Sequence, residues 1–272
     1  MAFSKRSGFG ISVVLLAAGL FALGCDDGGS GSDSNGGGST GGSPGATGGG
    51  NGTGDGVEGT VIFDGTGTWV DGSGPAGEYN IQGAFFVLED SVENGSPVSD
   101  GLTHTDLTPD SFDESTAKPC VSGTVAQVTN ADGGECDPAG SDCQWSAQWG
   151  GGIGLNLNET GGEASTQSPT DLVAAGVKGF SFRISGDVGG ATLRFKIKDA
   201  ANNAEDFCTS IVPNSVNTVL ISELKHQCWG SAGTLSVDAT QATQLQWQIV
   251  TSASASYTVS NFCIEEIAVV TE

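Results

Sequence analysis

Asn156, Asn158, Gln246 and Gln248, with Ser181 and Arg183, form the most coherent set of hydrogen-bonding side chains in this sequence. A carboxamide offers a donor and an acceptor in one plane, and a guanidinium offers a rigid fork of donors. Such groups match hydroxyls, which donate and accept in turn. Each stands at the parity opposite to apolar neighbours. Asn156 and Asn158 alternate with Leu155 and Leu157, Arg183 with Phe182 and Ile184, and the two glutamines with Leu245, Trp247 and Ile249. In a strand this alternation sends the apolar set to a core and the polar set to the other face. If these strands share a sheet, the polar set makes one continuous face. Stacking groups come next: Trp149, ahead of three consecutive glycines, and Trp69 and Tyr79, which flank a Gly/Pro loop. Trp247 and Trp145 are expected in the core, and Trp229 packed on the disulfide of Cys228.

Catalysis has little to work with. His104 and His226 stand outside any motif, and neither a Gly-x-Ser-x-Gly elbow nor a His-Glu-x-x-His run occurs. Glu89-Asp90 and Glu265-Glu266 are adjacent pairs, and neighbours on a strand point to opposite faces, so neither pair converges on one bond. The acidic loop with Asp132, Glu135, Asp137 and Asp142 lacks EF-hand spacing. A non-enzymatic binding protein is expected.

The elements that must hold these residues are short strands. Val61–Phe63, Ile81–Leu88 and Val121–Val128 come first, and Ala84–Leu88 is apolar without alternation, as in a strand buried on both faces. Between them Ser91–Lys118 reads as a long polar loop with a tight turn at Asn94-Gly95. Phe180–Ile184 and Leu193–Ile197 read as an antiparallel hairpin joined at Gly186–Gly190. Val216–Ile221, Leu245–Ile249 and Phe262–Val270 follow, the last with a change of parity at Glu265-Glu266 that predicts a β-bulge. Thr170 is placed to cap a short helical turn over Asp171–Ala175. About nine strands with Gly-rich turns predict an all-β chain, an antiparallel β-sandwich over residues 58–272.

The start of the chain points to export. Residues 1–24 carry Lys5 and Arg6, an apolar run from Phe9 to Leu23, and then Cys25, as in a secretory leader. Ala22-Leu23-Gly24-Cys25 resembles the bacterial lipobox, although Leu23 stands where a smaller residue is usual. That resemblance makes Cys25 the lipidated residue and the lipid the protein's only hold on a bacterial membrane, at the cell surface or in the periplasm. Residues 25–57 form a Gly/Ser-rich tether too polar to fold, with a reach of about 30 Å. The remaining six cysteines read as three disulfides of an exported domain. Six cysteines allow 15 connectivities; the one expected pairs Cys136 with Cys143 and Cys208 with Cys228, which leaves Cys120 with Cys263. The formal charge of −23 excludes a nucleic-acid partner. Between Glu58 and Thr170 Lys118 is the only basic residue; Lys178, Arg183, Arg194, Lys196, Lys198 and Lys225 all lie later.

Ile81-Gln82-Gly83-Ala84-Phe85-Phe86, the Trp149–Asn158 run, Gly179–Phe182, Gln227-Cys228-Trp229 and Gln246-Trp247-Gln248 together resemble bacterial carbohydrate-binding jelly rolls of the galactose-binding-like superfamily, the type attached to cellulases. The resemblance implies a jelly roll that binds a polysaccharide or oligosaccharide without cleaving it. It also implies a structural calcium near the first and last strands, where Asp64 and Glu266 stand, and no other cofactor. The expected function is a surface-anchored carbohydrate-binding module. The alternatives are an adhesive surface lipoprotein that binds another protein and, behind it, a glycan-active enzyme.

Overall fold

The computed structural model describes residues 56–272 apart from 94–95, 111–116, 139–140, 162–165, 203–204 and 231–232. The leader, Cys25, nearly all of the tether and the Asn94-Gly95 turn lie outside the described residues. In chain order the strands are β1 (Thr60–Phe63), β2 (Trp69–Val70), β3 (Gly83–Glu89), β4 (Val92–Glu93), β5 (Ser96–Pro97), β6 (Asp106–Pro109), β7 (Cys120–Val125) and β8 (Gly150–Asn156). They continue with β9 (Gly179–Asp187), β10 (Leu193–Asp199), β11 (Phe207–Ile211), β12 (Val216–Leu220), β13 (Lys225–His226), β14 (Ala242–Val250) and β15 (Tyr257–Val270). Helical structure is confined to 3-10 turns among the described residues.

These strands build an all-β sandwich with jelly-roll architecture, two antiparallel sheets packed face to face. A six-stranded sheet runs β12-β9-β15-β7-β6, with β1 also paired to β15; we call it the back sheet. A seven-stranded front sheet runs β13-β11-β10-β14-β8-β3-β2. The alternation seen in the sequence explains the packing, since each strand turns one apolar row inward. Phe180 and Phe182 of β9 meet Phe195 of β10 at ring separations of 6.3 and 4.8 Å, and Trp247 of β14 lies 5.5 Å from Phe182 and 5.6 Å from Phe195. All four rings are fully buried.

That contact corrects the expected hairpin. β9 pairs with β15 and β12, whereas β10 pairs with β11 and β14, so Gly186–Gly190 arches from one sheet to the other. Alternation specifies which side of a strand faces the core, but not which strand lies beside it. The parity change at Glu265-Glu266 does mark a bulge: the register of β15 against β9 shifts between Ile264 and Glu266. The segment read as a polar loop contains β6, which pairs with β7 at the edge of the back sheet. The turn after Thr170 is capped by Asp171 instead, whose Oδ1 accepts the Ala174 amide at 2.8 Å, while Thr170 bridges to Ala242. β3 is less enclosed than its apolar run implies, since Phe86, Val87 and Leu88 are half-buried.

The three expected disulfides are formed. Cys120 and Cys263 are register partners on β7 and β15. Cys136 and Cys143 pack with Val128 in a small satellite core under the acidic loop. Cys208, on β11, holds the turn that carries Cys228 and Trp229.

Candidate functional site

Registers across the front sheet decide which residues share its outer face. Leu245, Trp247 and Ile249 face the core, so Gln244, Gln246 and Gln248 face outward. On β8 their partners are Asn156, Gly154 and Gly152; on β10 they are Lys198, Lys196 and Arg194. Beyond β8, Ala84 and Phe86 of β3 lie outward, and Trp69 of β2 is the register partner of Ala84. Gly154 leaves room for the Phe86 ring to lie against the sheet: a Cβ there would come within 2.4 Å of the ring. At the opposite edge, the Cys208–Cys228 disulfide carries Trp229 onto the same face. The Trp229 ring lies 5.3 Å from the Arg194 guanidinium and 5.9 Å from the Lys196 ammonium. Trp69 and Trp229 are 36% and 50% exposed, so the face has an open indole toward each edge.

The amides between them are already ordered. Gln246 Nε2 donates to Gln244 Oε1 at 2.9 Å, Gln244 Nε2 to Asn156 Oδ1 at 3.1 Å, and Asn156 Nδ2 to Glu159 Oε2 at 2.8 Å. Gln167 Nε2 adds a second donor to Asn156 Oδ1 at 3.0 Å. A chain of amides ending on a carboxylate is polarised along its length and fixed in orientation. Fixed donors and acceptors lose less conformational freedom when a ligand binds. Gln248 is on the outer side but only 3% exposed, with Nε2 donating to the Trp149 carbonyl at 2.8 Å. It supports the face from beneath; the open amide row is Gln244, Gln246 and Asn156.

The charges are arranged around Asp206. Lys196 and Lys198 each contact its carboxylate at 3.1 Å. Burial alone would raise the Asp206 pKa, but the two ammonium groups outweigh it and hold the carboxyl below its usual range. Burial pulls the Lys196 pKa down, against the attraction of Asp206. Burial likewise lowers the Arg194 pKa, with Asp206 opposing it.

The other expected site residues disperse. Arg183, with Ser181, belongs to β9 and so to the back sheet, where its Nε faces Glu266 Oε2 at 3.8 Å. It therefore cannot share a face with the glutamines. Asn158 stands just past β8, donates to the Pro169 carbonyl at 3.4 Å, and lines a shallow depression with Asn80, Gln82 and Asp171. Tyr79 is not a stacking platform: it is 8% exposed and its hydroxyl donates to Thr60 Oγ1 at 3.1 Å. Trp149 is half-buried at the entry to β8, and Trp145, expected in the core, is 40% exposed.

Trp229, Arg194, Gln244 and Phe86 were not expected in the site. The signal for the first two was present. Arg194, Lys196 and Lys198 alternate with Leu193, Phe195 and Ile197 and so share the outward parity of β10, and the Cys208–Cys228 pairing brings the next residue over them.

The acidic pairs have structural employment. Asp90 is buried, which raises its pKa, and its carboxylate accepts the Thr105 and Gly150 amides, both at 2.7 Å. Glu89 accepts the Leu107 amide, and Glu265 engages Ser185 and Lys118. Among the described residues no three acidic, histidine or cysteine side chains are grouped to hold a metal ion. Asp64 accepts the Thr66 amide at 3.0 Å, and Glu266 Oε2 lies 3.8 Å from Arg183 Nε.

No family profile matches the sequence, and no curated protein matches it by sequence. Among solved structures, the family 11 carbohydrate-binding module of the cellulosomal cellulase Lic26A-Cel5E of Clostridium thermocellum aligns over 81% of this chain and 98% of its own. The identity is 11% and the TM-score 0.33. A solution structure of CtCBM11 aligns over 64% of this chain and all of its own, at 14% identity and a TM-score of 0.27. Neither alignment bears on the ligand of this chain.

Proposed function

We propose that this protein is a non-catalytic carbohydrate-binding module whose binding surface is the outer face of the front sheet. The observation that carries the reading is two exposed indoles, Trp69 and Trp229, on one sheet face with an ordered amide row between them. The C–H face of a sugar ring stacks on indole, and its hydroxyls need the donors and acceptors that Gln244, Gln246 and Asn156 supply. Trp69 and Trp229 are separated by roughly four strand spacings, about 19 Å at ~4.8 Å each. That span suits an oligosaccharide better than a single sugar.

A glycan panel probed with the purified full-length protein tests the reading. Trp229→Ala should weaken the best-bound glycan by about tenfold or more, as removal of an aromatic anchor does. The denaturation midpoint should hardly move, since half the indole is already in water. Undiminished binding by the variant would count against this face.

The same reading has the protein exported and held to a bacterial membrane by lipid on Cys25. Cys25→Ser should shift the protein from the membrane to the soluble fraction. An unchanged membrane fraction would contradict the anchor.

A further inference from the structure

We infer that the Trp229 end of this face takes an acidic sugar, one bearing a carboxylate or a sulfate, and that Arg194 recognises its charge. The inference rests on the glycan-binding reading above and narrows it to a class of ligand.

Charge is the first observation. The chain carries a formal −23 and nine basic residues, of which Lys5 and Arg6 stand in the leader. Four of the remaining seven lie on the outer side of the front sheet, Arg194, Lys196 and Lys198 on β10 and Lys225 on β13, with only β11 between them. Lys225 is the register partner of Cys208, which is the partner of Lys196. On an acidic protein this is a local reversal of sign, and it coincides with the exposed Trp229.

Pairing is the second observation. The nearby carboxylates are already engaged: Asp206 contacts Lys196 and Lys198, and Glu205 contacts His226 at 2.6 Å and Gln227 at 3.2 Å. That leaves Arg194 and Lys225 without a close carboxylate among the described residues; Lys225 is exposed to water, whereas Arg194 is half-buried. Its guanidinium lies under the Trp229 ring yet has no hydrogen-bond acceptor and no close ion pair among the described residues; Asp206 attracts it only from beyond contact. A half-buried guanidinium with unused donors is a costly arrangement that an anionic oxygen relieves, and guanidinium forks fit carboxylate and sulfate oxygens two at a time. The hydroxyls of a neutral sugar stacked on Trp229 can accept from those donors, but they bring no charge to match the guanidinium, and a charge-assisted hydrogen bond is the stronger one.

The test is a panel in which each glycan backbone is present in a neutral, a carboxylated and a sulfated form, bound by the purified full-length protein and followed by titration calorimetry. The acidic form of the preferred backbone should bind about tenfold or more tightly than its neutral counterpart, a difference of about 1.4 kcal/mol. The preference should shrink at 1 M salt, where the screening length falls to about 3 Å. Arg194→Gln should abolish the preference, so that acidic and neutral forms bind alike, and Arg194→Lys should keep part of it. The carboxylated and sulfated arms decide which oxyanion is preferred, and a preference for either supports the inference. A neutral form that binds as tightly as the acidic ones, or an acidic preference that survives Arg194→Gln, overturns it while leaving glycan binding intact. If no form of any backbone binds, both readings fall.

Discussion

Replacing Cys120 and Cys263 together with alanine should lower the stability of the protein by about 5 kcal/mol, the largest loss expected from removing any of its three bridges. The ranking follows from loop length. This bridge joins residues 143 apart in sequence, against 20 for Cys208–Cys228 and 7 for Cys136–Cys143. Loop-closure entropy lost by the unfolded chain grows with the logarithm of that separation, which gives about 3 kcal/mol for the second bridge and somewhat less for the third. The partners stand opposite each other on β7 and β15, so the bridge ties the end of the chain to its middle across one strand pair. Typical domains have only about 5–15 kcal/mol in total, so the double variant should be near the limit of folding. Denaturant titration of the three bridge variants measures the order. A smaller loss for the Cys120/Cys263 variant than for the Cys136/Cys143 variant would show that residual structure in the unfolded chain dominates.

Trp247→Ala should cost about 3–5 kcal/mol, the usual loss for truncating a fully buried large aromatic. Its ring joins Phe182 from the back sheet to Phe195 from its own, so the cavity would open at the seam of the sandwich, where the surrounding rings cannot collapse without separating the sheets. Calorimetric melting would register it as a large fall in midpoint with no change in thiol content. A loss near 1 kcal/mol would mean that the two sheets close over the gap. Two tryptophans on one sheet thus carry opposite expectations, Trp247 for stability and Trp229 for binding.

The parts of this account that were legible in the sequence are those set by local alternation. Leu245, Trp247 and Ile249 announced an inward row, and the broken parity at Glu265-Glu266 announced the bulge. The even count of six cysteines announced three bridges, and the pairing expected among 15 possible ones is the pairing formed. Pairing between strands was not legible. Phe180–Ile184 and Leu193–Ile197 have the same pattern whether they lie side by side or face each other across a core. Reading them as neighbours put Arg183 on the wrong sheet. Residues in turns were the other blind spot, because they have no period to follow. Tyr79 ends a 3-10 turn that folds its hydroxyl back to Thr60, and Trp229 is aimed by a disulfide rather than by a strand. Trp69 was assigned to a loop, yet it opens a two-residue edge strand, and that short pairing is what brings it onto the amide face.

The central claim is that ligands meet the outer face of the front sheet. Mapping by nuclear magnetic resonance, with the best-bound glycan titrated into isotopically labelled protein, tests it most directly. The indole N–H signals of Trp69 and Trp229 and the side-chain amides of Gln244, Gln246 and Asn156 should shift together and saturate at one affinity, while the Trp247 indole and the amides around Arg183 and Glu266 stay in place. Shifts gathered on Arg183, Glu266 and their back-sheet neighbours, with the Trp229 indole unmoved, would contradict it.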